Sequence, residues 1–316
     1  MNLRDNVIYL LEKNKGEFIS GQEIAESFNV SRSAVAKCIS TLKNEGYPIK
    51  SVNNSGHCLE KSCDILSKSG IRAHLCDDTT EVLFFDVIDS TNNEAKRICA
   101  DGRLQNVIVA ANEQTAGRGR RGKSFFSPKE SGLYFSIILH PDIELSDATG
   151  ITAAAAVAVS EAILQATKKD PKIKWVNDIF IENKKVCGIL TEAVTDFETM
   201  KLHSIVIGIG INLTTTDFPD EIKDIAVSVG TTLDRCEFIA KIYTRIKELC
   251  DNLPDRSFMD DYRRFSLVIG RRISFEKNGI PFLATAKDIQ DDGSLLVVTE
   301  SGEEMLLNSG EISIKL

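Results

Sequence analysis

GRGRRGK, at residues 117–123, is the stretch of this 316-residue chain that most constrains its fold. It satisfies the G-x-G-x-x-G pattern of dinucleotide-binding sheets, which requires a strand directly before it and a helix directly after it. The following residues, SFFSP at 124–128, are a poor helix start because of the proline. Four cations spaced by glycines predict instead a mobile loop that binds phosphate or carboxylate oxygens, with an exposed charge run as the alternative interpretation.

The sequence around this loop, from about Asp64 onward, mixes strands with helices. Apolar and β-branched runs predict strands at 82–88, 107–111, 133–139, 172–176, 179–182, 186–193 and 205–213. Helical spacing of apolar residues predicts helices at 93–100, 153–167 and 236–253. Because strands outnumber helices and several strand pairs are joined too tightly for βαβ crossovers, we predict a mixed α+β sheet rather than a doubly wound one.

The N-terminal residues form a separate unit by charge and by pattern. Residues 1–62 hold eight basic and seven acidic residues, a balance of +1, so the rest of the chain carries −9 within a net charge of −8. Apolar spacing predicts helices over 3–12 and 21–28, and a third helix that Ser31 caps and Gly46 ends. Extended stretches at 47–52 and 57–59, joined by the turn NNSG, complete a predicted winged helix-turn-helix.

The C-terminal part of the chain, after about Leu267, contains only short predicted strands. They lie at 272–276, 282–289, 295–299, 304–307 and 312–315. The turns Asn278-Gly279, Asp292-Gly293 and Ser301-Gly302 are typical hairpin connections, so the pattern predicts a small β-barrel. The predicted domains of this α+β multidomain protein are therefore 1–63, 64–266 and 267–316.

Composition excludes several classes of protein. The chain has 42% hydrophobic and 27% charged residues, and its net charge of −8 argues against a surface that binds nucleic acid throughout. Eight scattered cysteines without a C-x-x-C pair argue against a zinc site or a disulfide scaffold. The run 151–166 is too short and too polar to span a bilayer, and the first ten residues lack the regions of a secretory signal. We expect a cytoplasmic protein with no membrane partner.

Four further features of the sequence are candidates for chemistry. In 174–178, KWVND, the Asn-Asp pair is either a turn or, through Asp178, a ligand of Mg²⁺. Lys185 opens an apolar strand, where its ammonium either binds a buried anion or extends to solvent. Residues 89–95, DSTNNEA, cap the helix that follows or bind a polar ligand at its start. The glycines of 208–212, GIGIN, predict the close approach of a ligand or of another backbone.

Taken together, these residues resemble a known family. Ser90-Thr91-Asn92, Gln114 with the 117–122 loop, 174–178, 185–190 and 208–212 occur in the order and spacing of biotin protein ligases. The resemblance covers nearly the whole chain, because the predicted N-terminal unit and the C-terminal barrel, SH3-like in that family, match the bifunctional bacterial type that also represses biotin synthesis genes. It implies a central catalytic domain of the biotin/lipoate ligase type.

The resemblance implies a two-step reaction with ATP and Mg²⁺ as cofactors and biotin as substrate. The biotin carboxylate attacks the α-phosphate of ATP and gives biotinyl-5′-adenylate and pyrophosphate. The adenylate then biotinylates a lysine of a biotin carboxyl carrier protein, a subunit of acetyl-CoA carboxylase. Loop arginines and Mg²⁺ would offset the repulsion between the two anions, and loop closure would protect the adenylate from water.

The resemblance also assigns roles to single residues. The residues implied in biotin binding are Ser90, Thr91, Asn92, Gln114, Arg118, Gly119, Arg120 and Lys185. Those implied in ATP or adenylate binding are Arg118, Arg120, Arg121, Phe125, Asn177 and Asn212. The implied catalytic residues are Lys185, Arg120 and Asp178, the last as metal ligand or as the base that deprotonates the incoming lysine. Phe125 replaces a frequent tryptophan of the family, and Val176 replaces a usual proline.

The third predicted helix carries the candidate DNA contacts. Ser31, Arg32 and Ser33 start it, and Lys37 follows one turn later. Residues 27–57 hold four basic residues and one acidic residue, which favours phosphate contacts to operator DNA over a helix-turn-helix that binds protein. We hypothesise that adenylate binding orders the loops and favours a homodimer, which places two recognition helices on an operator with two half-sites.

Two other functions remain open at the level of sequence. A lipoate or octanoate ligase would use the same adenylate chemistry on a similar central domain, but the arginine-rich loop and the N-terminal unit favour biotin. A transcription factor with a degenerate ligase domain would only sense a small molecule, and the presence of Lys185 and Asp178 argues against it.

Overall fold

The structure is a computed structural model that describes residues 2–141, 148–195, 202–277, 279–308 and 310–314. The chain divides into two compact units. The first comprises Met1–Asp78, Val82–Phe84 and Thr232–Lys241, and the second comprises Thr79–Glu81, Phe85–Thr231 and Ile242–Leu316.

The first unit begins with three short helices and a two-stranded hairpin. They are α1 (Leu3–Lys13), α2 (Gly21–Ser27), α3 (Arg32–Asn44), β1 (Ile49–Val52) and β2 (Gly56–Leu59). Each helix starts after a residue whose side chain accepts a backbone N–H, and these residues are Asn2, Ser20 and Ser31. β1 and β2 pair antiparallel, so the predicted helix-turn-helix and its following hairpin are confirmed.

The apolar spacing of these helices builds one hydrophobic core. Its fully buried members include Val7, Ile8, Leu11, Ile24, Val35, Ile39 and Leu42. Gly56 lies where the hairpin meets the residues before α2, with a φ of +108°, and a Cβ there would lie 2.0 Å from the Ile19 carbonyl oxygen. Glycine is therefore required at this turn. A fourth helix, α4 (Lys68–His74), follows the hairpin and has no counterpart among the predicted elements.

A group of charged side chains is buried within the first unit. Glu12 is 2% exposed, and Lys15 forms ion pairs with it and with Asp234. Burial opposes the charge of Lys15, but hydrogen bonding to Asp234 and the charge of Glu12 outweigh burial and raise the pKa of Lys15 above its ordinary value. Glu12, His74 and Asp234 are close enough to hold a metal ion, but the ammonium of Lys15 already supplies the cation among them.

A seven-stranded sheet forms the core of the second unit. Its strands are β3 (Glu81–Ile88), β4 (Val107–Gln114), β5 (Gly132–Leu139), β6 (Lys172–Lys174), β7 (Asp178–Ile181), β8 (Lys184–Thr195) and β9 (Leu202–Asn212). The strand order is β3-β4-β5-β9-β8-β7-β6, and the pairs β4–β5, β5–β9, β9–β8, β8–β7 and β7–β6 are antiparallel. All seven predicted strands are present, and the antiparallel pairs agree with their tight connections.

Four further helices are α5 (Thr91–Ala100), α6 (Ala148–Thr167), α7 (Arg235–Asp251) and α8 (Phe258–Phe265). α6 packs on β8 and α8, and its residues 153–159 are buried. Among the described residues, α6 is the helix long and apolar enough to cross a membrane, but 67% of the window Gly150–Thr167 is buried, as in a core helix. α8 has no predicted counterpart, because its eight residues give too short a pattern and no side chain caps its start.

The C-terminal residues form a second, five-stranded antiparallel sheet. Its strands are β10 (Arg272–Lys277), β11 (Ile280–Ile289), β12 (Leu295–Thr299), β13 (Glu304–Leu307) and β14 (Ile312–Ile314), in the order β13-β12-β11-β10-β14. The predicted strands are present, but the described parts of β13 and β14 do not pair, so a closed SH3-like barrel is not confirmed. Asn278 of the first predicted turn and Lys315 of the last predicted strand lie outside the described residues.

Candidate active site

A cavity of about 500 Å³ lies in the second unit, lined by β8, β9, the start of α5 and the GRGRRGK loop. The predicted site residues that line it are Ser90, Thr91, Asn92, Gln114, Arg118, Gly119, Arg120, Phe125, Asn177, Asp178, Lys185 and Asn212. The structure therefore brings together predicted residues from five separate segments. Arg121 is the exception, because its exposed side chain, at a backbone φ of 54°, is outside the cavity lining.

Glycines in the two central strands make room for this cavity. Gly188 of β8 lies opposite Gly210 of β9, and Gly208 lies opposite Leu190. A Cβ at Gly208 would lie 1.9 Å from Asn92 Oδ1, and a Cβ at Gly210 would lie 2.5 Å from the Phe125 ring. These contacts explain the glycines of the GIGIN segment, since any side chain there would displace a residue of the cavity wall.

The start of α5 is both capped and open to the cavity. Ser90 accepts the backbone N–H of Asn93, so the predicted capping is present. The backbone N–H and the hydroxyl of Thr91 donate to Gln114 Oε1 at 2.8 and 3.1 Å, and Gln114 Nε2 donates to Ser127 Oγ at 2.9 Å. These bonds fix the Gln114 amide, so capping and ligand binding are compatible at this helix end.

Ser136 is a residue of this network that the sequence analysis missed. It lies in β5 and is fully buried, and its hydroxyl is 2.8 Å from Thr91 Oγ1 and 2.6 Å from Asn92 Oδ1. The signal in the sequence is one hydroxyl within the otherwise apolar strand LYFSIIL. A buried hydroxyl requires a partner, but the sequence does not show which partner the sheet will supply.

The opposite part of the lining carries the charged residues. Lys185 Nζ lies 2.8 Å from Asp178 Oδ1, and Arg120 Nη1 donates to Asn177 Oδ1 at 3.1 Å. Asn177 Nδ2 donates to the Ile189 carbonyl at 2.6 Å, which fixes its amide orientation. Burial lowers the pKa of the nearby Lys174 despite the attraction of Asp178. This group of cations can bind anionic ligand groups, and Asp178 offers the carboxylate that Mg²⁺ requires beside phosphates.

The Asn177-Asp178 segment is supported from the C-terminal side of the same unit. The Trp175 indole N–H donates to the Gly293 carbonyl at 2.9 Å, and the Tyr262 hydroxyl donates to the Val176 carbonyl at 2.9 Å. Trp175 is 4% exposed and Tyr262 is 1% exposed. The segment therefore keeps its place through two buried hydrogen bonds, although Val176 stands where the family usually has proline.

The GRGRRGK loop is held by bonds at several points. Arg118 Nη1 donates to Asn93 Oδ1 at 3.0 Å, and the Gly119 N–H donates to the Lys123 carbonyl at 2.7 Å. Lys123 Nζ also lies 2.8 Å from Glu311, and this hydrogen bond is the main cause that lowers the pKa of Glu311. Glu311 lines the cavity and was missed by the sequence analysis, because it follows Lys123 by nearly two hundred positions along the chain.

Two further predicted adenylate contacts lie in the same cavity. The Phe125 ring meets the Tyr134 ring edge-on, with 6.4 Å between centroids, so it has a fixed orientation. Asn212 is 4% exposed, and its Nδ2 donates to the Val227 carbonyl at 3.3 Å. An aromatic face and a fixed amide are suited to an adenine ring and to ribose or phosphate oxygens.

The candidate DNA contacts lie in the first unit, at the start of α3. Ser31 caps this helix, and its hydroxyl lies 2.9 Å from that of Ser33. Arg32, Ser33 and Lys37 are exposed, so their side chains are available to a partner. No acidic residue stands in the first turn of α3, which leaves the positive end of the helix dipole open to a phosphate.

Comparisons with known proteins agree with this arrangement. Models of three families match: the biotin/lipoate A/B protein ligase family over residues 84–212, an HTH domain over 4–57, and the biotin protein ligase C terminal domain over 268–315. The bifunctional ligase/repressor BirA of Bacillus subtilis is 36% identical over 95% of both chains, and that of Escherichia coli is 26% identical over 95% of this chain and 94% of its own.

A solved structure shares the fold. The biotin protein ligase from Aquifex aeolicus in complex with biotin and ATP superimposes with a TM-score of 0.63 and 28% identity, over 74% of this chain and 98% of that one. The fold and the cavity thus define a ligase of the biotin/lipoate class that carries an added helix-turn-helix. The chain belongs to the family of bifunctional biotin ligase/repressors.

We predict that Gly208→Ala will strongly reduce ligand binding in the cavity. The new Cβ would meet Asn92 Oδ1 at 1.9 Å, so Asn92 must leave its bonds with Ser136 and the cavity wall. We expect biotin affinity measured by calorimetry to fall about tenfold or more, the effect of a lost positioned hydrogen bond. Gly21→Ala is the control, because its Cβ would make only an ordinary 3.6 Å contact with His57. Equal affinity in both variants would contradict the prediction.

Proposed function

We propose that this chain activates biotin with ATP to biotinyl-5′-adenylate and transfers biotin to a lysine of a biotin carboxyl carrier protein of acetyl-CoA carboxylase. The observation that carries the proposal is one cavity with two chemically distinct parts. Thr91, Asn92 and Gln114 present fixed hydrogen-bonding groups in one part, whereas Lys185 and Arg120 present cations in the other. Such a cavity fits a neutral polar ring attached to a carboxylate that meets a polyphosphate.

The first step joins two anions, so charge neutralisation is its central requirement. A biotin carboxylate oxygen bonds to the α-phosphorus of ATP while the bond to pyrophosphate breaks. Arg118, Arg120 and Lys185 lie in the lining where they would neutralise the carboxylate and the phosphates. Arg121 is exposed in this structure, so we propose that it reaches ATP phosphates only after the loop rearranges.

Magnesium fits the charged part of the cavity. Asp178 is a partly exposed carboxylate of the lining, 2.8 Å from the Lys185 ammonium that we assign to the ligand anions. We propose that Asp178 would hold Mg²⁺ together with ATP phosphates, the ligand set this ion prefers. When bound, Mg²⁺ would neutralise phosphate charge.

The second step transfers biotin to the carrier protein. The amine of the carrier lysine attacks the acyl carbon of biotinyl-5′-adenylate, AMP leaves, and the amine proton passes to a base.

The proposal also assigns the residues that contact biotin. Ser90, Thr91, Asn92 and Gln114 would bind the polar ring of biotin, and Gly119 would permit close approach of the loop backbone to it. Phe125, Asn177 and Asn212 would contact the adenylate. The support for both sets is their position in one lining, with orientations fixed by the hydrogen bonds described above.

We further propose repression of biotin synthesis genes by a homodimer. Adenylate binding would favour the dimer, and two copies of α3 would contact two half-sites of the operator through Ser31, Arg32, Ser33 and Lys37.

Eight free cysteines support a cytoplasmic location. The three-domain division 1–63, 64–266 and 267–316, and an SH3-like closure of the C-terminal sheet, belong to the same proposal and are supported by the matched family models.

The ligase proposal predicts one dominant product from mixed acids. Purified protein incubated with Mg-ATP and equimolar biotin, lipoate and octanoate should form biotinyl-adenylate, detected by mass spectrometry. Lys185→Met should reduce the rate of biotinyl-adenylate formation at least about a hundredfold, because a positioned cation that stabilises the transition state is lost. Lys184→Met is the matched control and should retain the wild-type rate. A lipoyl or octanoyl adenylate as the dominant product would identify a lipoate or octanoate ligase instead. Biotin binding without any adenylate would favour a transcription factor that only senses biotin.

The two roles of Asp178 predict opposite results for Asp178→Asn. As a metal ligand, Asp178 is needed for adenylate formation, so the variant should lose at least about tenfold in that step while it transfers biotin from added biotinyl-adenylate at the wild-type rate. Adenylate formation is measured by pyrophosphate release and transfer by biotinylation of a carrier domain. Normal adenylate formation with slow transfer would overturn the assignment and identify Asp178 as the base.

Operator binding should depend on Arg32 and on ligand. Footprinting with biotin and ATP present should show protection of two half-sites, and protection without them should require more protein. Arg32→Ala should weaken binding and lower the slope of log affinity against log salt by about one, the effect of one lost phosphate contact. Lys13→Ala in α1 is the control for a lost positive charge. The coupling is wrong if operator affinity is the same with and without ligand.

A further inference from the structure

Glu192 is an acidic residue of β8 that connects two walls of the cavity. One oxygen, Oε1, lies 3.0 Å from Lys96 Nζ and 3.4 Å from Arg118 Nη1, and the other, Oε2, accepts from Asn92 Nδ2 at 3.0 Å. Its side chain is 23% exposed. Burial opposes its charge, but the hydrogen bonds from Asn92 and Lys96 outweigh burial and hold its pKa below the ordinary value. The carboxylate is therefore charged and binds both Asn92 and Arg118.

The contact with Glu192 fixes the orientation of the Asn92 amide. A carboxylate only accepts hydrogen bonds, so it must face the amide nitrogen. The Leu190 carbonyl accepts from the same nitrogen at 3.3 Å, and Ser136 Oγ donates to the amide oxygen at 2.6 Å. Replacing the carboxylate by an amide would weaken this selectivity and leave only the longer bond to the Leu190 carbonyl to enforce it, because a glutamine can face either end of Asn92.

The contact with Arg118 holds the first arginine of the GRGRRGK loop. Arg118 also donates to Asn93 Oδ1, so its guanidinium joins β8 to the start of α5. Backbone hydrogen bonds hold the flanking glycines, from the Phe125 N–H to the Gly117 carbonyl at 2.9 Å and from the Gly119 N–H to the Lys123 carbonyl at 2.7 Å. The Arg118 guanidinium extends beyond this backbone, and Glu192 is the charged group that fixes its position.

We propose that Glu192 is a positioning residue for the biotin part of the cavity, which holds Asn92 and Arg118 so that biotin binds and the adenylate is retained until transfer. This inference rests on the proposed ligase function. Glu192 need not touch the ligand, and its effect passes through the two residues it orients. Its loss should weaken biotin binding and speed adenylate release, with a smaller effect on ATP affinity, because Arg118 is one of several residues assigned to the phosphates.

The test uses the full chain with Glu192→Gln. We expect the biotin Kd, measured by calorimetry without ATP, to rise about tenfold, the usual consequence of losing charge-assisted hydrogen bonds that orient two ligand contacts. Release of preformed biotinyl-adenylate, followed by trapping free adenylate, should rise by a similar factor. The KM for ATP should rise by a smaller factor than the biotin Kd, because Arg118 contacts Glu192 whereas Lys185, Arg120 and Asn177 have other partners in the described structure.

Glu161→Gln is the matched control for the loss of a glutamate–arginine ion pair. Glu161 is 20% exposed and pairs with Arg245, which is 38% exposed, as Arg118 is 38% exposed beside Glu192. This control should leave the biotin Kd and adenylate release unchanged. A rise of the biotin Kd in both variants would show a general loss of stability and overturn the positioning role.

Glu192→Asp is the second variant and covers the case in which Glu192→Gln does not fold. It keeps the charge beside Lys96 but is one methylene shorter, so it cannot reach both Asn92 and Arg118, and we expect a rise of the biotin Kd of about threefold or more. Wild-type biotin Kd and adenylate release in the folded Glu192 variants would overturn the inference. Failure of the wild-type chain itself to bind biotin or form the adenylate would instead overturn the proposed function.

Discussion

The cavity depends on three glycines in adjacent strands. Gly188, Gly208 and Gly210 lie in β8 and β9 where side chains would otherwise cover the centre of the sheet. A Cβ at Gly208 would take the space of Asn92 and a Cβ at Gly210 that of Phe125, at 1.9 and 2.5 Å, whereas a Cβ at Gly188 would crowd the end of the Lys185 side chain at 3.1 Å. Glycine weakens an isolated strand, so the other strands must supply the stability of the sheet. β5 does so with eight buried residues and full pairing to β9.

A second constraint comes from the cationic side chains that line this cavity. Arg118, Arg120 and Lys185 would repel one another in a dry site, and each has a protein partner in the described structure. Their partners are a carboxylate or an amide oxygen, which fix the cations without burying them deeply. Cations that are already oriented need little reorganisation when charge develops on a phosphate, and this is the main source of electrostatic catalysis.

Local signals in the sequence predicted most of the elements, with the exception of α4 and α8, whereas contacts between distant residues were not predicted. The cap Ser31 lies directly before α3, so the sequence alone places the start of that helix. Ser136 and Glu192 meet Asn92 only because α5 packs on the sheet, which brings together residues 44 and 100 positions apart. The residues next to Ser136 and Glu192 in the sequence only indicate strands and give no sign of these contacts. The family resemblance named thirteen ligand-site residues, of which twelve line one cavity, but it gave no information on which neighbours hold them.

The GRGRRGK loop is the segment best suited to distinguish the empty cavity from the occupied one. A ligand shifts an equilibrium only by its difference in affinity for the two states, so the contacts that change must lie where protein partners are exchanged for ligand atoms. Arg118, Arg120 and Lys123 have such partners in Glu192, Asn177 and Glu311. Phosphate oxygens that took over these donors would free an acidic side chain or an amide while the loop closed. A loop of this kind can protect the adenylate and can also make its presence detectable at the protein surface, which a ligase that also represses transcription requires.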